Sequence, residues 1–146
     1  MKNRPWIKYL LYLILLLVLI YLDAYVGRQQ ALYQHHTFNM GLGYHLIFMF
    51  IRIAIGLLLG LDYITNEMTK EGKWKINVPK MTLMVLASLY FSFVLYLYLI
   101  PNEFLMNVLM KPAFILFQGQ FKITSIFPIL LGYFFITSFQ KRTGEE

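Results

Sequence analysis

The chain contains no cysteine. Disulfide frameworks, zinc-thiolate and iron–sulfur sites and thiol nucleophiles are therefore excluded, and the redox compartment carries no mark. Charge is scarce too. Only 14% of the 146 residues are charged, and acids are rarer than bases, 7 against 13. Since soluble domains carry about 25% charged residues, this is not the composition of a water-soluble domain. The net charge of +6 is dispersed among apolar runs, in segments too short to form a basic groove, so no nucleic-acid partner is expected.

Catalytic signatures are also missing. There is no nucleophile elbow, glycine-rich phosphate loop, HExxH pair or carboxylate couple at catalytic spacing, and no catalytic residue is assigned. Of the three histidines, His35 and His36 are adjacent and so point to different helix faces, while His45 stands alone. No metal or cofactor is expected. A CxxC pair or a glutamate midway along the first apolar run would mark two known classes of small four-span protein; neither is present.

What the chain does have is hydrocarbon: 59% hydrophobic residues, 18% aromatic, and a mean hydropathy of +0.60. It falls into four long apolar runs, 7–26, 44–64, 81–100 and 123–139, each near the roughly 20 residues that cross a bilayer as a helix. The first follows a basic start, MKNRPWIK, but is longer than the ~7–15-residue core of a signal peptide and is followed by no small-residue cleavage site. It reads as a true span. Pro101 closes the third run, and the fourth contains Pro128, which a membrane helix tolerates where neighbours satisfy the freed carbonyl. The expected fold is an all-α integral membrane protein, a single domain built as a bundle of four transmembrane helices.

Lysine and arginine set the threading. Lys2, Arg4, Lys8, Lys70, Lys73, Lys75, Lys80, Lys141 and Arg142 would share one side; Arg28, Lys111 and Lys122 would face the other. Nine against three places both termini in the cytoplasm of a multi-pass plasma-membrane protein, bacterial in type. The lysines around Trp74 are expected to lie against an anionic cytoplasmic leaflet, each worth about 1 kcal/mol there. On the outer side, residues 28–43 extend the first helix until it breaks at Gly41 and Gly43. Residues 103–117 hold an amphipathic piece, apolar at Phe104, Leu105, Val108 and Leu109, expected to lie in the headgroup plane or, alternatively, to re-enter the bilayer.

One charge lies within an apolar run. Arg52 falls on a helical stripe with His45, Phe48, Gly56, Leu59 and Tyr63, with Gly60 at its edge. Gly56 and Gly60 form a small-xxx-small pair that admits another helix closely. Pro128 and Gly132, four apart, mark the packing face of the last run. Side chains lean toward a helix N-terminus, so the Arg52 guanidinium is expected to climb toward the outer surface and meet Asp23 of the first span. Arg28 is the alternative partner for Asp23. Intramembrane charges are functional-site hypotheses by default; with Arg28, Lys111, Gln118, Gln120 and Lys122 on the same outer side, the set is a candidate headgroup-binding cluster. Two functional readings follow. The first is a non-enzymatic protein that assembles with, or regulates, another membrane component; the partner expected in the membrane is another protein or a homo-oligomer of this chain. The second is a small oligomeric transporter or channel for an anionic solute or lipid headgroup, using Arg52.

Overall fold

The computed structural model describes residues 5–37, 42–97, 103–105, 107–108, 111 and 125–142. These are mostly helical. Helix α1 runs Pro5–Thr37 and α2 runs Leu42–Thr69; both are long and apolar enough to cross a membrane. Strand β1, Lys73–Ile76, follows. Helix α3 starts as Val78–Lys80, passes through a π-helical turn at Met81–Val85 and continues as Leu86–Leu97. A single turn at Glu103–Leu105, helix α4 at Phe127–Thr137 and strand β2 at Phe139–Arg142 complete the described chain.

The sequence explains the first helix pair. Along α1 the half-buried residues Lys8, Tyr12, Leu16, Leu19, Asp23 and Val26, then the buried Gln30, recur every three or four positions, the spacing of a coiled-coil seam. This stripe lies on α2, and the opposite side of α1 is exposed, apolar from Trp6 to Tyr25 and polar beyond it at Arg28, Gln34, His35 and His36. The opposite contact of α2 is with α4, the most extensive in the chain. It is a backbone crossing. A Cβ on Gly56 would sit 2.0 Å from the Ile129 carbonyl oxygen, and one on Gly132 would sit 2.2 Å from that of Ile53. A Cβ on Gly60 would fall 2.1 Å from Ile136 Cγ2. At Gly56 and Gly132, where the obstacle is backbone, no residue but glycine permits that approach. Helix α3 packs on α4 in turn, with Phe91 and Phe127 rings 4.6 Å apart, so the helices follow the order α1–α2–α4–α3.

Four expectations need correction. Arg52 and the glycines do not serve one face: Arg52 turns to α1, Gly56 and Gly60 turn to α4, and Leu59 is exposed. At about 100° per residue, a helix packed between two neighbours needs two faces. Gly43 does not end a helix but lies within α2, while Gly41 is outside the described residues. Pro128 stands in the first turn of α4, where a proline leaves no carbonyl unpaired. And the chain is not wholly α-helical. The loop 73–76 pairs antiparallel with the tail, Lys73 opposite Arg142, Trp74 opposite Lys141, Lys75 opposite Gln140 and Ile76 opposite Phe139. Gly72 makes the turn into β1 at φ 133, a conformation that strains any L side chain.

Candidate functional site

Three polar rungs join α1 to α2. At the start of α1, Lys8 Nζ donates to Asp62 Oδ1 at 2.8 Å and to Thr65 Oγ1 at 3.2 Å. In the middle, Arg52 Nε donates to Asp23 Oδ1 at 3.0 Å and Nη2 donates to Oδ2 at 3.3 Å. Near the far end, Gln30 Nε2 lies 3.2 Å from His45 Nε2. The two side chains thus form a hydrogen bond between the helices, its donor and acceptor set by the imidazole tautomer.

The middle rung is the candidate site. The two-pronged contact is the geometry in which arginine and a carboxylate bind most strongly. The guanidinium also lies over the Phe48 ring, 5.0 Å from its centroid. Gly27 makes room for that ring: a Cβ there would stand 3.3 Å from Phe48 Cζ. Arg52 lies eight residues into the second apolar run, about 12 Å along the helix from Tyr44. Its side chain and that of Asp23 remain 25% and 26% exposed, so the pair is open on the flank of the α1–α2 groove.

The other site residues divide. His45 joins Gln30 rather than the ion pair. Arg28 is exposed and, among the described residues, makes no ion pair, so it does not compete for Asp23. Lys111 is exposed. Gln118, Gln120 and Lys122 lie outside the described residues, as does most of 103–117, so the headgroup cluster and the choice between interfacial and re-entrant segments fall there too. Among the described residues no three His, Cys, Asp or Glu side chains stand where they could hold a metal ion.

A second polar assembly went unforeseen. Glu67, in the last turn of α2, is only 5% exposed. Its Oε1 accepts from the Lys70 ammonium and its Oε2 from the Lys141 backbone N–H at 2.9 Å. These bonds, the one from Lys70 foremost, hold its carboxyl below the ordinary carboxylate range, and the same contact raises the Lys70 ammonium. Lys141 Nζ donates to the Met68 and Lys70 carbonyls at 2.9 and 2.7 Å and lies over the Trp74 ring. That satisfies carbonyls left unpaired where α2 ends. Lys80 does the same for α4, donating to Thr137 O at 3.1 Å and Oγ1 at 2.8 Å, and burial pushes its ammonium down. The Asn77 side chain accepts from Lys80 N–H at 3.2 Å as the cap of α3, and its backbone N–H donates to Ser138 O at 2.8 Å. The ends of α2 and α4 are thus each closed by another element. The Glu67–Lys70 spacing of three was the readable signal; the tail's part in it was not.

Comparison with family models, with curated proteins and with solved structures found no match for this chain.

Proposed function

We propose that the chain is a small membrane protein that crosses the bilayer four times, with both termini in the cytoplasm, and acts by assembling with or regulating another membrane component. The observation that carries this reading is the disposition of its polar groups. Each rung joins the chain's own helices, and a long apolar stretch separates the Lys8 rung from the Arg52 rung. Between Asp23 and Lys8 the α1 seam offers Leu19, Leu16 and Tyr12; between Arg52 and Asp62 the α2 residues are Ile53 to Leu61, all apolar. At 1.5 Å per residue this is a dry interval of about 15 Å, too long for an ion or headgroup to pass without polar contacts. What the rungs do is fix the register of two helices, the best-attested use of buried charge.

The threading rests on where the ends gather. Lys8 meets Asp62 and Thr65, and β2 pairs with β1, so the start of α1, the 70–80 loop and the tail meet at one end of the molecule. This is the end rich in lysine, and an anionic cytoplasmic leaflet is its natural neighbour. Helix α4, with 11 residues, is about 16 Å long, half the ~30 Å hydrocarbon core.

The test is purification from native membranes in a mild detergent, followed by native mass measurement. A component in fixed stoichiometry, whether another protein or a second copy, supports assembly. A monomer that drives anion flux in liposomes, with flux abolished by Arg52→Gln, would overturn it in favour of transport.

A further inference from the structure

We infer that the flank of α1–α2 closes on a second copy of this chain, so that two Asp23–Arg52 pairs meet across a two-fold axis along the membrane normal. The inference rests on the reading above and names the component in contact. Its starting point is incomplete satisfaction of the ion pair. A guanidinium offers five N–H donors, and among the described residues only those on Nε and Nη2 reach an acceptor, both on Asp23. The pair is a quarter exposed, and donors without acceptors are costly in hydrocarbon.

Charge complementarity selects the occupant. An anionic headgroup would meet Arg52 but be repelled by Asp23, whose carboxylate lies 3.0 Å from Arg52 Nε. A cationic group would be repelled by Arg52. A neutral ion pair is best complemented by another, turned so that each guanidinium faces the opposite carboxylate. A second copy supplies this without a new sequence. The charge bias threads both copies in the same sense, a two-fold axis along the normal keeps every residue at its partner's depth, and the interface is self-complementary. Arg52 Nη1 then donates to Asp23 of the second copy, and the reverse contact forms by symmetry. Leu15 and Leu22 on one side of the α1 seam, and Ile20 and Ala24 on the other, are exposed and available to pack beside the ion pairs.

The absence of cysteine gives a clean experiment. Single cysteines are placed at Leu15, Leu22, Ile20 and Ala24 in the full chain, and membranes are oxidised with copper phenanthroline. Disulfide-linked dimers are expected from one flank only. In the same background, Asp23→Asn with Arg52→Gln removes both charges while keeping shape, and dimer should fall about tenfold, equivalent to about 1.4 kcal/mol. Native mass of the unmodified protein in nanodiscs should give two copies. A monomer that carries a different protein overturns the inference and leaves the assembly reading standing. A monomer that carries nothing overturns both. A dimer undiminished in the neutral double variant, or a monomer holding a phospholipid at the groove, also overturns the inference.

Discussion

The α2–α4 crossing makes a prediction that contrasts two glycines of one helix. An alanine methyl at Gly56 would lie 2.0 Å from Ile129 O, and ordinary contact begins at 3.4 Å, so the two helices must separate by about 1.4 Å. The obstacle is backbone, which no rotamer change can move. Overpacking costs about 1–3 kcal/mol, and Gly56→Ala belongs at the upper end. At Gly43 nothing lies within 4 Å of the added carbon, so Gly43→Ala should be neutral or slightly stabilising through helix propensity. Gly60→Ala should fall between them, because the Ile136 methyl it meets can rotate away. Gly132→Ala adds a methyl 2.2 Å from Ile53 O at the same crossing, and the separation that relieves one clash relieves the other. The Gly56→Ala, Gly132→Ala double variant should therefore cost little more than the worse single one, a strong departure from additivity. Reversible unfolding in bicelles, followed by steric trapping, measures all five. Equal stabilities for Gly56→Ala and Gly43→Ala, or strictly additive losses at the crossing, would refute the reasoning.

The remaining expectations concern charge. Asp23→Ala strands Arg52 in a segment where an unpaired cation costs about 2.5–3.5 kcal/mol, so it should destabilise about as much as Arg52→Ala, and the double variant should be no worse than either; a double-mutant cycle without coupling would remove the pair from the account. At the opposite assembly, the depressed Glu67 carboxyl stabilises the folded state fully above its unfolded value of 4.5, and that contribution is lost as pH falls through the lower folded value. The raised Lys70 ammonium contributes below 10.5 and loses its share as pH rises through its higher folded value. Protection of the Lys141 amide against hydrogen exchange should therefore hold between these limits and drop below the lower one, and Glu67→Ala should abolish it at neutral pH. A Lys141 amide equally protected in that variant would show that Glu67 does not hold the tail.

The long helices were legible because their signal is local. A run of twenty apolar residues needs no partner to declare itself, and α1 and α2 follow such runs. Arg52 stood out because its neighbours are apolar, and Asp23 was legible as a candidate because helix geometry and side-chain lean narrow the choice to one turn. The division of α2 into two faces was not legible, because Gly56 and Arg52 lie only about 40° apart on a helical wheel and the neighbours' positions decide which face each serves. The ribbon was hidden for a different reason. KWKI alternates as a strand does, but its partner FQKR is more than sixty residues away, and a lysine-rich loop beside a membrane span already has an adequate explanation in orientation. Glu67 was passed over with it: its acceptor role depends on a tail amide that pairing alone delivers. Gly27 and Gln30 gave no sign, since each acts through a residue of the facing helix.

The central claim is that α1 and α2 cross a bilayer with the ribbon on the cytoplasmic side. Its most direct test is single-cysteine labelling in intact cells with a membrane-impermeant maleimide, at Thr37, the outer end of α1, and at Lys75 in the ribbon. Thr37→Cys should react in intact cells, and Lys75→Cys should react only after the membrane is opened. Reaction of both from the same side, or the reverse pattern, would contradict the threading and with it the membrane depth assigned to Asp23 and Arg52.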